Sequence, residues 1–251
     1  MPDTMTLPAA ADAREWEMRC DLAAAFRLSV RMGLNVGLGN HFSLMLPDSA
    51  DRFLVNARGL LFQEITASNL LVVDFDGRVI SGGREVRPVT YHIHGPIHRA
   101  NPAAKCVVHL HPPNLTTLSV IEDGRLALAH HDNLIVNDRI AYDDAATGPA
   151  SDLEEGFRLA AALGDKTTLV MANHGVLSVG PTVHDAFHEL IVAENACGYQ
   201  LRALATGLKL RQQPDHLRWN HRGVWNDRVD ARLYLDAWRR ILDREEPDYA
   251  S

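Results

Sequence analysis

Apolar positions along this chain follow two rhythms, one near 3.6 residues and one near 2, and their alternation predicts a mixed fold. Trp16, Cys20, Ala23, Ala24, Phe26 and Leu28 recur at helical spacing, so an opening amphipathic helix is predicted from Ala13 to Met32, ended by Gly33. Short apolar or alternating runs follow at His41–Leu46, Arg52–Asn56 and Leu70–Phe75, bounded by glycine, proline and aspartate in the manner of strands. Thr66–Asn69 reads as a short helical turn, and Asp76-Gly77 as a hairpin signal before Arg78–Ser81. The helical period returns over Tyr91–Ala100 and stops at Asn101-Pro102. A strand ending at His109-Leu110-His111 is closed by Pro112-Pro113, and a helix fits Asn114–Ile121.

Residues 122–147 read as loops with short strands, and Asp152–Leu163 as a helix with an acidic first turn. Two apolar runs then flank Asn173-His174-Gly175, a tight connection in which Gly175 is expected to supply a backbone conformation closed to bulkier residues. Thr182 with Asp185 resembles a capping box opening a helix to about Ala205. Strands and helices mixed throughout, with no internal repeat, give an α/β or α+β class. The expected organisation is a flexible tail over residues 1–13, one domain over 14–213, and a helical extension over 214–251. That extension carries Trp219, Trp225 and Trp238 among arginines, with an amphipathic helix over Ala231–Leu242 packed on the domain or on a neighbouring subunit.

With 251 residues, 46% of them hydrophobic and 23% charged, the chain can bury one large core. A net charge of −7 and the lack of any lysine or arginine run argue against nucleic-acid or anionic-membrane partners, leaving small-molecule chemistry. Cys20, Cys106 and Cys197 are odd in number and lack CxxC spacing, which suits buried thiols in a reducing compartment. Residues 1–13 lack the charged and apolar regions of a secretory signal, and no apolar stretch reaches the roughly 18–20 residues that span a bilayer, so a cytoplasmic location is expected.

The chemistry gathers on histidines. In a strand, residues i and i+2 share a face, so His109 and His111 present two imidazoles side by side at a strand mouth. His174, at the second strand mouth, is the candidate third ligand. Three histidines with an open position suit a catalytic rather than a structural metal site; the alternative is a chance pair in a chain with 13 histidines. His94 and His98 stand at i, i+4 spacing on one helical face, with His94 or Tyr91 a candidate proton donor and His92 and His98 read as satisfying backbone groups. His184 and His188 lack the glutamate of an HExxH motif and are expected on a solvated face.

Five ordered blocks carry a resemblance to the class II aldolase/adducin family: Gly39–Ser43, Arg58–Ser68, His94–Pro102, Val107–His111 and Ala172–Gly175. The likeness covers Arg14 to Gly207 and implies a three-layer α/β/α sandwich around a mostly antiparallel sheet, assembled as a homotetramer with sites near subunit boundaries. It also implies that His109, His111 and His174 bind zinc or another divalent metal, manganese or iron among them. His130-His131-Asp132 and Tyr142-Asp143-Asp144 lie in a segment that the family uses near its site, which makes Tyr142 a further proton-donor candidate.

Two departures from the family's pattern bear on the reaction. The sugar-phosphate aldolases carry an acid–base glutamate four residues before the histidine matched by His94; here that position is Thr90, which cannot exchange a proton near neutral pH. Their phosphate-holding hydroxyl residues are also missing, with Arg58 in the loop over Asn56–Gly59 and Arg87-Pro88-Val89 before Thr90. Arg58 can instead clamp a carboxylate, with Asn40, Gly59 and Thr90 lining the same site; alternatively it is a surface arginine paired with Asp51 or Glu64. The expected function is a divalent-metal-dependent carbon–carbon lyase, decarboxylase before aldolase, on an unphosphorylated carboxylated hydroxy or hydroxyaromatic compound. A non-heme iron oxygenase on the same three histidines and a non-catalytic adducin-like binding module are the alternatives.

Overall fold

The computed structural model describes residues 13–145, 148, 150–214, 216–217 and 227–251. Trp219, Trp225 and, apart from Ala13, the expected tail lie outside the described residues. Eight strands, β1 (His41–Met45), β2 (Arg52–Val55), β3 (Leu71–Asp74), β4 (Val79–Ser81), β5 (Cys106–Leu110), β6 (Ile140–Asp143), β7 (Thr168–Met171) and β8 (Gly175–Gly180), form one sheet in the order β4-β3-β2-β1-β5-β8-β7-β6. Every neighbouring pair is antiparallel except β6–β7. The helices are α1 (Ala13–Arg31), α2 (Pro88–Ala100), α3 (Pro113–Ser119), α4 (His131–Val136), α5 (Leu153–Leu163), α6 (Val183–Leu204) and α7 (Asp227–Glu245).

Strand alternation sorts the core into two faces. Phe42, Leu44, Cys106, Val108 and Leu110 pack with Phe26 and Leu28 of α1 and with Phe187 and Leu190 of α6. Val107, Met171, Leu177 and Val179 pack on the opposite side with Ile93 and Ile97 of α2 and Leu159 and Leu163 of α5. The result is the α/β/α sandwich that the resemblance implies, and with both faces covered the central strands read as continuous apolar runs. Phe26 stacks on Phe42 with ring centroids 4.4 Å apart. In the other layer α5 approaches α2 so closely that a Cβ on Gly156 would lie 1.8 Å from the His92 carbonyl oxygen.

Two segments differ from the sequence expectation. Helix α2 begins at Pro88 rather than Tyr91, because proline suits the first helical position, where a missing N–H costs nothing. Residues 122–147 hold the six-residue α4, too short for helical periodicity to register. Its start is fixed by a reciprocal cap: the His130 ring accepts the Asp132 N–H at 3.2 Å, and Asn133 Oδ1 accepts the His130 N–H at 3.0 Å.

Helix α7 and the turn after it lie on this chain's own α1 and α6. Leu235, Leu242 and Tyr249 are fully buried in the α1 and α6 core. Arg239 pairs with Asp21 at 2.6 Å and with Glu17, while Arg27 pairs with Asp248 at 2.7 Å. His184 therefore faces Asp236 at 3.5 Å, and His188 meets the Tyr234 ring, so neither stands on the solvated face expected of them. We expect Arg239→Met to cost about 2 kcal/mol in urea unfolding. It leaves the largely buried Asp21 carboxylate with His184 at 3.9 Å in place of the arginine, and that partner and the partial exposure keep the loss below that of a fully buried pair.

All three cysteines are free and buried. Burial pushes the Cys20 thiol up to about 11 and Cys197 up to about 12, which leaves both unreactive near neutral pH. Among the described residues, no helix is long and apolar enough to cross a membrane.

Candidate metal centre

His109 lies on the α2–α5 side of β5, directly opposite His41 of β1 and Leu177 of β8. His111 follows one residue past the strand end, and His174 immediately precedes β8. Between β7 and β8 the chain reverses through Asn173, whose φ is +56°. The left-handed residue is therefore Asn173, not Gly175 as the sequence suggested, and asparagine tolerates that conformation better than most residues. Gly175 is required for space: a Cβ there would sit 2.5 Å from His111 Cδ2 and 2.7 Å from the Leu110 carbonyl oxygen.

The three rings form a near-equilateral cluster, with centroids 5.0, 5.0 and 5.1 Å apart. One potential ligand nitrogen from each lies within 4.8 Å of the others. His109 Nδ1–H donates to the Val176 carbonyl at 3.0 Å, which turns a bare Nε2 toward His111 Nε2, 3.2 Å away. Burial first, then the neighbouring histidines, holds His109 well below the ordinary histidine range and His111 down at about 4; burial also lowers His174. Neutral imidazoles converging on one point, one with its tautomer fixed from behind, fit a divalent ion of the zinc, manganese or iron type.

Two cavities share His41, Arg87 and Pro88, and one of them opens over the cluster. One, of about 460 Å³, is lined by the three histidines with Val89 and Asn173. The other, of about 420 Å³, is lined by Asn40, Asn56, Arg58, Gly59 and Thr90. Thr90 is buried, and no aspartate or glutamate lines either cavity among the described residues. Asn40 Oδ1 accepts the Val36 N–H at 2.7 Å, which leaves its buried Nδ2 without a partner. Arg58 is an exposed rim residue paired at 3.2 Å with Glu85, rather than with Asp51 or Glu64. Arg87 lines both cavities, its Nη1 donating to the Leu38 carbonyl at 2.9 Å.

The three expected proton donors lie away from the cluster. Tyr91 stands in the first turn of α2, where its ring covers Gly77 of the β3–β4 hairpin. Tyr142 accepts the Leu126 N–H at 3.0 Å beneath the Arg125 guanidinium and lines a separate cavity of about 390 Å³. His94 is fully buried one ring behind the cavity, with Nε2 2.8 Å from His41 Nδ1 and Nδ1 2.6 Å from Ser43 Oγ. Sequence reasoning gave no role to His41 and took Arg87 only as a departure from the family. The mark of the first was a histidine and a serine two apart on one face of an apolar strand. His130 is committed to the α4 cap, and Asp143 to a two-bond pair with Arg158 at 2.7 and 2.8 Å.

These buried neutral rings should make the metal-free protein less stable in acid. Burial lowers His94 well below its ordinary value and takes His98 from 6.5 to about 4. Above pH 6.5 the folded and unfolded states are both neutral at these positions. Below it the unfolded chain takes up protons first, so stability falls until pH drops past the folded-state values. The urea midpoint should therefore drop continuously from pH 6.5 to about pH 4; a flat profile would contradict this assignment.

The family described as Class II Aldolase and Adducin N-terminal domain matches residues 20–201. A "Putative aldolase class 2 protein" of Caulobacter vibrioides is 36% identical over 253 residues, spanning 98% of this chain and 97% of that protein. An aldolase II superfamily protein from Pseudomonas syringae superposes with a TM-score of 0.88 at 35% identity, covering 95% of this chain and 97% of its own. The L-fuculose 1-phosphate aldolase of Glaciozyma antarctica PI12 gives a TM-score of 0.83 at 25% identity, with 97% and 95% covered.

Proposed function

Since this chain belongs to the class II aldolase and adducin family, we propose that it is a divalent-metal-dependent carbon–carbon lyase, decarboxylating an unphosphorylated carboxylated hydroxy or hydroxyaromatic compound. In this reading it works as a cytoplasmic homotetramer. The observation that carries the choice of reaction is the lining of the two cavities, in which Thr90 and two arginines stand and, among the described residues, no carboxylate does. Retro-aldol cleavage needs a base to take a hydroxyl proton, and His41, the neutral ring in both linings, is held well below the ordinary histidine range by burial and so is a weak one, whereas carbon dioxide departs without a base.

A divalent ion held by His109, His111 and His174 would supply Lewis acidity to the electron pair left by bond cleavage. The chain's own contribution is orientation. Arg87, which lines both cavities, offers donors for a substrate carboxylate, with Asn40 in the wall behind and Arg58 at the rim in its pair with Glu85. Thr90 fills the buried wall with a hydroxyl that can donate or accept. With Tyr91, His94 and Tyr142 off the cavity, the proton that replaces carbon dioxide is assigned to water admitted through its mouth. Aldol cleavage remains the second reading, favoured by the close superposition on a sugar-phosphate aldolase.

Calorimetric titration of the zinc-loaded protein with glycerate and with glycerol 3-phosphate tests the substrate class. Glycerate should bind more tightly, and Arg87→Leu should weaken it on the order of 10- to 100-fold, the worth of a hydrogen bond to a charged group. Tighter binding of the phosphate compound, unchanged in Arg87→Leu, would reject a carboxylate site and favour the aldolase.

A further inference from the structure

We propose that His41 is the hydrogen-bond acceptor for a hydroxyl group of the substrate, fixed in that role by a buried relay of His94, Ser43 and His98 that starts from the Ala104 carbonyl. The proposal deepens the reading of the histidine-lined cavity as the substrate site and rests on it. Four contacts link the relay in series. His98 Nδ1 lies 2.6 Å from the Ala104 carbonyl oxygen, and His98 Nε2 lies 2.8 Å from Ser43 Oγ. Ser43 Oγ lies 2.6 Å from His94 Nδ1, and His94 Nε2 lies 2.8 Å from His41 Nδ1.

A carbonyl oxygen can only accept, so His98 Nδ1 must carry a hydrogen, and a neutral ring then has a bare Nε2. Ser43 has one hydrogen, which goes to that nitrogen, so its oxygen accepts from His94 Nδ1–H. His94 Nε2 is then bare and accepts from His41 Nδ1–H. His41 is left with an unprotonated Nε2 as its remaining polar atom, in a ring that lines both cavities and stands beside His109. The polarity of the whole series is thus dictated by one backbone oxygen.

Neutrality of the rings follows from their surroundings. His41, Ser43, His94 and His98 are all at most 6% exposed, and their relay partners are a carbonyl, a hydroxyl and one another. Arg87 lines both cavities with His41, and Lys105 follows the Ala104 whose carbonyl His98 holds; both are cations, which oppose a further proton on the rings. A bare nitrogen on the cavity wall welcomes an O–H and repels the lone pair of a keto oxygen. The device therefore selects hydroxy acids over keto acids of the same size and charge, at a site where the metal ligands alone would hold either.

Lactate and pyruvate share the carboxylate and the three-carbon frame and differ at C2, hydroxyl against keto, and both are suitable probes. Long-range proton–nitrogen NMR of the metal-free and zinc-loaded wild type should show Nδ1–H and a bare Nε2 at His41, His94 and His98. A proton on His41 Nε2 would overturn the proposal without any variant being needed. In Ser43→Ala, which cuts the relay at its middle, His41 should populate both tautomers, and the zinc-loaded protein's preference for lactate over pyruvate should fall on the order of 10-fold. An unchanged preference in a folded variant would also overturn it; if the variant does not fold, the wild-type tautomer decides. Zinc content is measured on the same samples. A wild type that binds no zinc yet shows the relay tautomers would sink the metal-site reading and not the relay, whereas zinc bound with the opposite His41 tautomer would do the reverse.

Discussion

Replacing His174 with alanine should lower zinc affinity by on the order of 100-fold or more and remove carbon–carbon cleavage with it. Even outer partners of metal ligands typically carry 10- to 100-fold in affinity, and His174 is one of only three nitrogens converging on this point among the described residues. Its removal leaves His109 and His111 alone, and two imidazoles do not complete a catalytic site. Folding should survive, because His174 sits half-buried at a strand mouth, and its cavity replaces a water-accessible side chain rather than core packing. Equilibrium dialysis against zinc, with a thermal melt in parallel, separates the two effects. Retention of full affinity in the variant would mean that the metal is held elsewhere.

The second large effect is expected from a single methyl group. Gly175→Ala should cost on the order of 2–3 kcal/mol in stability, the range for overpacking a filled interior, and should weaken metal binding as well. The added carbon would meet the His111 ring at 2.5 Å and the Leu110 carbonyl oxygen at 2.7 Å. The ring can swing away only by leaving the cluster, and the carbonyl belongs to the pairing of β5 with β8 that sets His109. Stability and metal affinity should therefore fall together, in contrast to His174→Ala. A variant with wild-type melting and wild-type affinity would show that the β7–β8 connection yields more readily than this packing allows.

The same glycine shows what the sequence could and could not reveal. That the Asn173-His174-Gly175 connection brings a histidine to a strand mouth was legible from two flanking apolar runs. Which of its residues takes the left-handed backbone was not, because close approach and positive φ both favour glycine and leave the same letter. His109 and His111 were readable through the two-residue strand period, and helix α1 through its helical spacing, since both are local patterns. The relay was not readable as a unit: it joins β1 to α2 across about 50 residues of chain, and only its halves left marks, His41 with Ser43 at i, i+2 and His94 with His98 at i, i+4. The partial covering of His184 depends on where α7 comes to rest. The pairing of Arg58 with Glu85 depends on a loop path that no periodicity encodes. Thr90 was legible as a departure only through the family resemblance, and what the structure adds is its place in the buried wall of the second cavity.

The reaction proposed is carbon–carbon cleavage without a carboxylate base and without a substrate phosphate. The most direct measurement is product analysis with zinc- or manganese-reconstituted protein offered matched sets of hydroxy acids, hydroxyaromatic acids and sugar phosphates, with His174→Ala as the control. Carbon dioxide released from an unphosphorylated acid by the wild type, and lost in the variant, is the predicted result. Release of an aldehyde and a triose phosphate from a sugar phosphate, with no carbon dioxide from any acid, would contradict it.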